Sequence, residues 1–432
     1  MPTYFPLRPH RPHSRHSTAL TAAAAVLAAA AASGCAGDNG APGAGNSCNA
    51  PGVSADEIRI GLVFPNDGTI GAALKSARSG VDARLGLVNE AGGIHGRKIT
   101  YVWRDDQGTA QANNVAVQEL VGSADVFALL EASTGASGGA DYLRSQSVPA
   151  IGLPIESIWA DPAYPNMFTF PSLVASGSAS DVFGRYVLAQ GGSRAVIVST
   201  DSVVAAQRFT PLIGQSLAAS RIPTTQLAYN STITNPARFA EQLRESDADV
   251  LVLDLPPADG PQILAAARAA GLTFRVVLAA AGYGKETIER YGASVAGFTT
   301  FSIFVPFEAK VPAQREYLDA AQRHAPELQS PSEDVAYGTY IATDILVRGL
   351  TDAGPCPTRE GFVQALRAVT DYNAGGLVSG RLTFDKNVGQ PFSCLIFSRV
   401  NAAGTAFEVV PNTTPGAPSP TEWCGERLAG AS

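Results

Sequence analysis

The sequence predicts an α/β protein of two similar lobes, each built on a parallel sheet. Short apolar, β-branched runs alternate with amphipathic helical stretches along most of the chain, which implies parallel strands joined by crossovers. Ala116 to Ala132 (AVQELVGSADVFALLEA) and Ala240 to Pro256 (AEQLRESDADVLVLDLP) share a helix, a Ser/Asp turn, a strand and a loop, as two copies of one unit would. At 432 residues the chain exceeds the reach of one core, so two lobes of ordinary size are expected.

The order of elements begins with an export layout. A basic stretch, Arg8 to His16, precedes an alanine-rich run, Ala19 to Ala32, too short to span a bilayer. Residues 1–34 are therefore read as a signal peptide. Ala32, Ser33, Gly34 and Cys35 resemble a lipobox, although Ala32 stands where a branched residue is usual, and Cys35 is expected to carry the lipid. Simple secretion is the alternative. Residues 35–54, rich in Gly, Ala, Pro and Asn, read as a flexible tether.

Buried strands are then expected at Ile58 to Phe64, Ile99 to Trp103, Val126 to Leu130, Ala150 to Leu153, Ala195 to Ser199, Val250 to Leu253, Val276 to Leu278 and Phe298 to Ile303. Between the first two, Leu74, Ala77, Val81, Leu85 and Val88 recur at three- and four-residue steps, predicting one helix over Ile70 to Glu90 with a single apolar stripe. Pro312 to His324, Ser332 to Leu350 and Thr358 to Val369 read as three later helices, Cys394 to Val400 as a last strand. The Pro/Ser/Thr-rich tail is expected to be loosely ordered except near Cys424.

Composition excludes several functions. With 45% hydrophobic and 16% charged residues the body is globular. The formal charge of −7 becomes −10 without the leader's Arg8, Arg11 and Arg15, which argues against a nucleic-acid partner. Only His95 and His324 lie outside the leader and no cysteine spacing suits zinc, so no metal and no cofactor is expected. Cys48, Cys356, Cys394 and Cys424 form an even set in an exported chain and predict two disulfides, with three pairings open.

The segment Val88 to Asp106, VNEAGGIHGRKITYVWRDD, resembles the opening of the branched-chain amino-acid (Leu/Ile/Val) type periplasmic binding proteins of ABC transporters. Its construction is physical: Gly92 and Gly93 can take the positive φ that ends a helix, Ile94 packs back, and Gly96 allows the reversal into strand two. Asp105, Asp106 and Gln107 are expected to stop that strand and cap a helix near Gly108. Further similarity runs from Ile58 to Val400, through Ser133 and Thr134, Val148 to Pro154, Phe168 to Gly177 and the helix Asp334 to Leu350.

The resemblance implies two Rossmann-like lobes with parallel sheets joined by a three-stranded hinge, the type I arrangement. The crossings fall near Phe170 to Leu173, Val305 to Phe307 and Phe384 to Lys386. Lobe 1 is then 55–171 with 306–384, lobe 2 is 172–305 with 385–410, and 411–432 is the tail. It also implies a monomer without enzymatic activity, on the outer face of the cytoplasmic membrane, that passes a small ligand to ABC permease subunits. In that fold Cys48 precedes the first strand, and the helix Ser332 to Leu350, about 28 Å long at roughly 1.5 Å per residue, carries Cys356 toward the same end. Cys48–Cys356 and Cys394–Cys424 are accordingly the expected pairs.

Ligands of open parallel sheets sit beyond the strands' carboxyl ends. The candidate binding residues are therefore Asn66, Asp67, Ser133, Thr134, Glu156 and Ser157 in lobe 1, and Ser202, Asp254 and Tyr283 in lobe 2. Ser133 and Thr134 match positions that hold a ligand carboxylate in the family, and equally suit helix capping. Where amino-acid binders carry an acid for the ligand ammonium, this chain has Ala280, Ala281, Gly282 and Tyr283, a departure that Asp254 could make good.

Other classes compete with this reading. Gly135 to Gly139 fit the G-x-S-x-G elbow of serine hydrolases around Ser137, but the sole downstream histidine, His324, lies within an apparent helix. No G-x-G-x-x-G follows the first strand, which excludes a dinucleotide oxidoreductase. An extracytoplasmic ligand sensor would share every feature of a transport protein at the level of sequence.

Overall fold

The computed structural model describes residues 48–170, 179–200, 204–385, 393–417 and 419–428. Its first sheet holds β1 (Glu57–Val63), β2 (Lys98–Arg104), β3 (Leu129–Glu131), β4 (Ala150–Gly152) and β5 (Met167–Phe168), all parallel, in the order β2-β1-β3-β4-β5. The second holds β6 (Ala195–Ser199), β7 (Thr224–Ala228), β8 (Val250–Asp254), β9 (Val276–Ala279) and β10 (Phe298–Ser302), parallel and in the same order, β7-β6-β8-β9-β10. The repeated segments end in β3 and β8, which hold equivalent places beside β1 and β6.

The second sheet continues with β11 (Cys394–Val400), antiparallel to β10. Along the other edge of β11 lie β12 (Phe407–Val409) and β13 (Glu422–Cys424). Only a few of these strands escape the apolar-run signal. One is β7, an edge strand of partly exposed polar residues (TTQLA) that has no buried face to advertise it.

Helices cover both faces of each sheet. In the first lobe α1 (Gly68–Leu74) and α2 (Ala77–Glu90) precede β2, and α3 (Ala110–Gly122) and α4 (Ala140–Ser145) follow it. The second lobe has α5 (Val182–Ala189), α6 (Val204–Ala219), α7 (Pro236–Glu245), α8 (Asp259–Ala269) and α9 (Lys285–Tyr291). The chain then returns to the first core as α10 (Pro312–His324), α11 (Asp334–Asp352) and α12 (Arg359–Arg367).

Alternation along β1 sends Ile58, Ile60 and Leu62 into one core with Val81 and Leu85 of α2 and Ile341 and Ile345 of α11. The opposite face packs Leu120, Leu143 and Trp159. The second sheet divides likewise: Ile197, Val252 and Leu278 meet Phe183 and Ile213, while Val196, Val198 and Leu251 meet Phe239 and Ile263. Each such fully buried aliphatic side chain contributes about 1.5–3 kcal/mol.

The stripe expected over Ile70 to Glu90 is buried, but it belongs to two helices. Ser76, at φ −81° and ψ 0°, leaves helical geometry, and Ile70 stays 39% exposed. Gly93 takes φ +78°, its amide donating to Val88 O (2.8 Å), and Ile94 is buried, so the glycine turn does what its sequence implies. The helix after β2 is capped by Thr109, whose hydroxyl accepts from the Ala112 amide (3.3 Å), and not by the Asp105–Gln107 segment. Asp106 is buried instead and serves the network described below.

Disulfides join Cys48 to Cys356 and Cys394 to Cys424. The second fastens β13 to β11, and beyond it the Leu428 amide donates to Ala179 O (2.9 Å), so the tail is tied down past Cys424 as well as at it. Of the expected hinge crossings, Val305 to Phe307 is described: the Val305 amide donates to Leu377 O and the Ser379 amide to Ile303 O (both 2.9 Å). Leu173 and Lys386 lie outside the described residues, as does Cys35. Among the described residues no helix is long and apolar enough to cross a membrane.

Candidate ligand site

At the carboxyl ends of the first sheet, buried polar groups form a network that leaves Glu131 Oε1 without a partner. Asn113 on α3 donates through Nδ2 to Asp106 Oδ2 and Glu131 Oε2, each at 3.0 Å, and its Oδ1 accepts from the Gly139 amide at 3.0 Å. The Ser133 hydroxyl donates to Asp106 and accepts from the Gly135 amide (2.8 Å). Burial pushes the Glu131 carboxyl up to about 8, and the charges of Asp106 and Glu156 add to this while Asn113 opposes it. A protonated Glu131 relieves the repulsion of neighbouring carboxylates.

Three of the residues expected to bind ligand in this lobe have partners within the protein. Ser133 is buried and spends its hydroxyl on Asp106. Thr134 is exposed and donates to Gly108 O (2.9 Å). Glu156 accepts the Ser137 amide at its Oε2 (3.0 Å), and burial pushes its carboxyl up. Asn66, Asp67 and Ser157 are exposed beyond the ends of β1 and β4. Nothing in the sequence alone couples Asp106, Asn113 and Glu131, which meet only when β2, α3 and β3 are assembled.

Gly135 and Gly139 owe their presence to packing. A Cβ on Gly135 would stand 2.9 Å from the Ala110 nitrogen, and one on Gly139 2.7 Å from a Val117 methyl. His324 is engaged elsewhere, with Nε2 3.2 Å from Glu90 on α2 and its ring against Gly86. The G-x-S-x-G spacing thus reflects a turn seated on α3.

In the second lobe Asp254, at the end of β8, is buried and accepts from the Thr210 hydroxyl of α6 (2.6 Å). Burial pushes its carboxyl up to about 6, against the pull of that bond. Tyr283, in the loop after β9, donates its hydroxyl to Glu308 Oε2 (2.6 Å) and packs on Phe407, ring centroids 5.1 Å apart. Ser202 lies outside the described residues.

Two adjoining cavities meet at Tyr283. One, of about 190 Å³, lies beside the Val305 crossing and is walled by Ala281, Tyr283, Phe301, Phe304, Asp334 and Tyr337. The other, of about 350 Å³, shares Tyr283 and Asp334 and extends past Lys285 and Arg290. Second-lobe loops thus face the start of α11 across a gap. Of the expected residues that are described, only Tyr283 lines it. Asp334 was hidden in the sequence because it opens a helix, where an acid is ordinary.

Comparison with known proteins agrees with this architecture. A family model described as periplasmic binding protein matches residues 57–405, more than half of the chain. The Leu/Ile/Val-binding protein homolog 3 of Brucella melitensis is 21% identical over 313 residues, covering 72% of this chain and 83% of its own. Among solved structures, the branched-chain amino-acid substrate-binding protein LivJ of Streptococcus pneumoniae, in complex with isoleucine, superposes with a TM-score of 0.62 at 19% identity, covering 82% and 99% of the two chains. A fatty acid ABC transporter substrate-binding protein from Thermomonospora curvata does so at 0.64 with 18% identity, covering 84% and 93%. Two like-ordered parallel sheets, a gap between them and a family match spanning both lead to one conclusion: the chain belongs to the type I periplasmic binding proteins.

Proposed function

We propose that the protein is the exported solute-binding component of an ABC importer. It is acylated at Cys35, holds a small organic solute of the amino-acid class or its amides between the lobes, and hands it unchanged to permease subunits. The observation that carries this reading is the gap where the loop after β9 and the start of α11 face each other beside a chain crossing. A ligand touching both walls favours the approach of one toward the other, so binding energy becomes a change of shape that a membrane partner can read. The lobes divide at 55–171 with 306–384 and 172–305 with 385–410, and the monomer is the working unit. No covalent step and no cofactor enters.

The test is a thermal-shift screen of small solutes on the chain from Ala36 onward, followed by calorimetry and small-angle scattering. A hit that raises the melting temperature and contracts the particle supports the reading; hydrolysis of generic esters that Ser137→Ala abolishes overturns it. Acylation is tested by mass spectrometry of the membrane-extracted protein, which must carry diacylglyceryl mass on Cys35.

A further inference from the structure

We infer that the gap is built for a solute whose head group is a positively charged nitrogen, an amine, amidine or guanidine, anchored on Asp334, with no need of a ligand carboxylate. This rests on the proposed solute-binding reading and narrows it to a chemical class.

Asp334 lines both cavities. Solvent reaches it, yet no hydrogen-bond donor or cation among the described residues meets its carboxylate. Protein crowded around it, and nothing else, pushes its carboxyl pKa up. It is also the first residue of a 19-residue helix, whose amino-terminal dipole favours an anion there. Its surroundings thus offer the carboxylate no counter-charge.

Two cations, Lys285 and Arg290, line the larger cavity but not the smaller. Lys285 Nζ pairs with Glu289 at 2.8 Å, and the Arg290 guanidinium lies over the Tyr291 ring, 5.4 Å from its centroid. Tyr283, which lines both cavities, already donates its hydroxyl to Glu308 and so offers an incoming anion no free proton. Phe301, Phe304 and Tyr337 complete the smaller cavity with ring faces, which attract cations and accept a hydrocarbon body.

The loop at Ser137 in lobe 1, outside the lining of both cavities, is no readier for a ligand carboxylate. The Ser137 amide, a donor that would suit an external carboxylate, is already taken by Glu156. A ligand carboxylate entering there would displace an internal one and meet Asp106 behind it. The acid missing from the loop after β9 is therefore supplied from the opposite wall.

The experiment presents one carbon skeleton with four head groups: isopentylamine and leucinamide as cations, leucine as zwitterion, 4-methylpentanoate as anion and 4-methylpentanamide as neutral. Agmatine and putrescine are added as longer cations. Each is titrated by calorimetry into the mature chain and into Asp334→Asn. Expected is binding of cations at least tenfold tighter than their anionic and neutral counterparts, with that preference lost in Asp334→Asn. The ligand-free variant is expected to melt higher than the parent, by about 1–3 °C, because an uncompensated charge is removed. A carboxylate present only to start α11 gives the opposite shift. Tighter binding of anionic or neutral solutes, or cation affinity unchanged in Asp334→Asn, overturns the inference and leaves the solute-binding reading standing. Silence from every head group in both proteins overturns both.

Discussion

The two lobes repeat one strand order and finish it differently. In the first, three carboxylates at the strand ends, Asp106, Glu131 and Glu156, are tied inward to Asn113, Ser133 and the Ser137 amide. In the second a single buried carboxylate, Asp254, takes one hydroxyl from Thr210, and the loop after β9 opens onto a cavity. The same topology yields one end whose polar groups bond mainly to one another, with Glu131 Oε1 left over, and one whose groups face a gap. A shared fold thus fixes where loops gather, while a few polar side chains decide whether they offer anything to a ligand.

The largest effect that separates the lobes is expected from their disulfides. Replacing Cys48 and Cys356 by serine opens a loop of sequence separation 308 and should cost roughly 5–6 kcal/mol in urea unfolding. The corresponding change at Cys394 and Cys424, separated by 30, should cost about 3 kcal/mol. Equal losses would mean that chain entropy does not set the difference.

Next comes the removal of one buried acid from each lobe. Asp106→Ala strands the Asn113 and Ser133 donors and should destabilise by about 3 kcal/mol, while Asp254→Ala strands only Thr210 and should cost about 1 kcal/mol. Denaturant melts of the two variants give the ratio directly.

A smaller, pH-dependent difference follows from protonation. Glu131 is raised to about 8 and Asp254 to about 6 in the folded chain, both above their unfolded values, so the folded state binds the extra protons. Stability from Glu131 is full below about 4.5 and fades as pH rises toward 8; that from Asp254 fades between about 4 and 6. Glu131→Gln should flatten the upper part of the pH profile and Asp254→Asn the lower part. An unchanged slope above pH 6 in Glu131→Gln would count against a neutral Glu131. At the bottom of the scale, Lys285→Ala removes an exposed ion pair with Glu289 and should leave the melting curve indistinguishable from the parent.

Much of the framework was legible because it depends on local pattern. Strand Cys394–Val400 and helix Pro312–His324 fall where apolar periodicity puts them, since each owes its place to its own buried face. What escaped depends on distant partners. The break at Ser76 interrupts a stripe without altering it, and β7 lies on an edge where no periodicity is enforced. Tyr283 was reachable because it follows a strand, whereas Asp334 matters only through its neighbours across the gap. Ser133 was legible as a polar strand end, but its hydroxyl is claimed by Asp106, a partner 27 positions away.

The bridge from Cys48 to Cys356 governs how traction reaches the folded body. Any tension applied to the chain ahead of Cys48 enters at a covalent cross-link to the segment between α11 and α12, upstream of β1. Without it, the same tug would bear on Glu57 and detach β1 from β2 one rung at a time. With it, the load is shared with the 19-residue helix α11 of the first core, and β1 is spared.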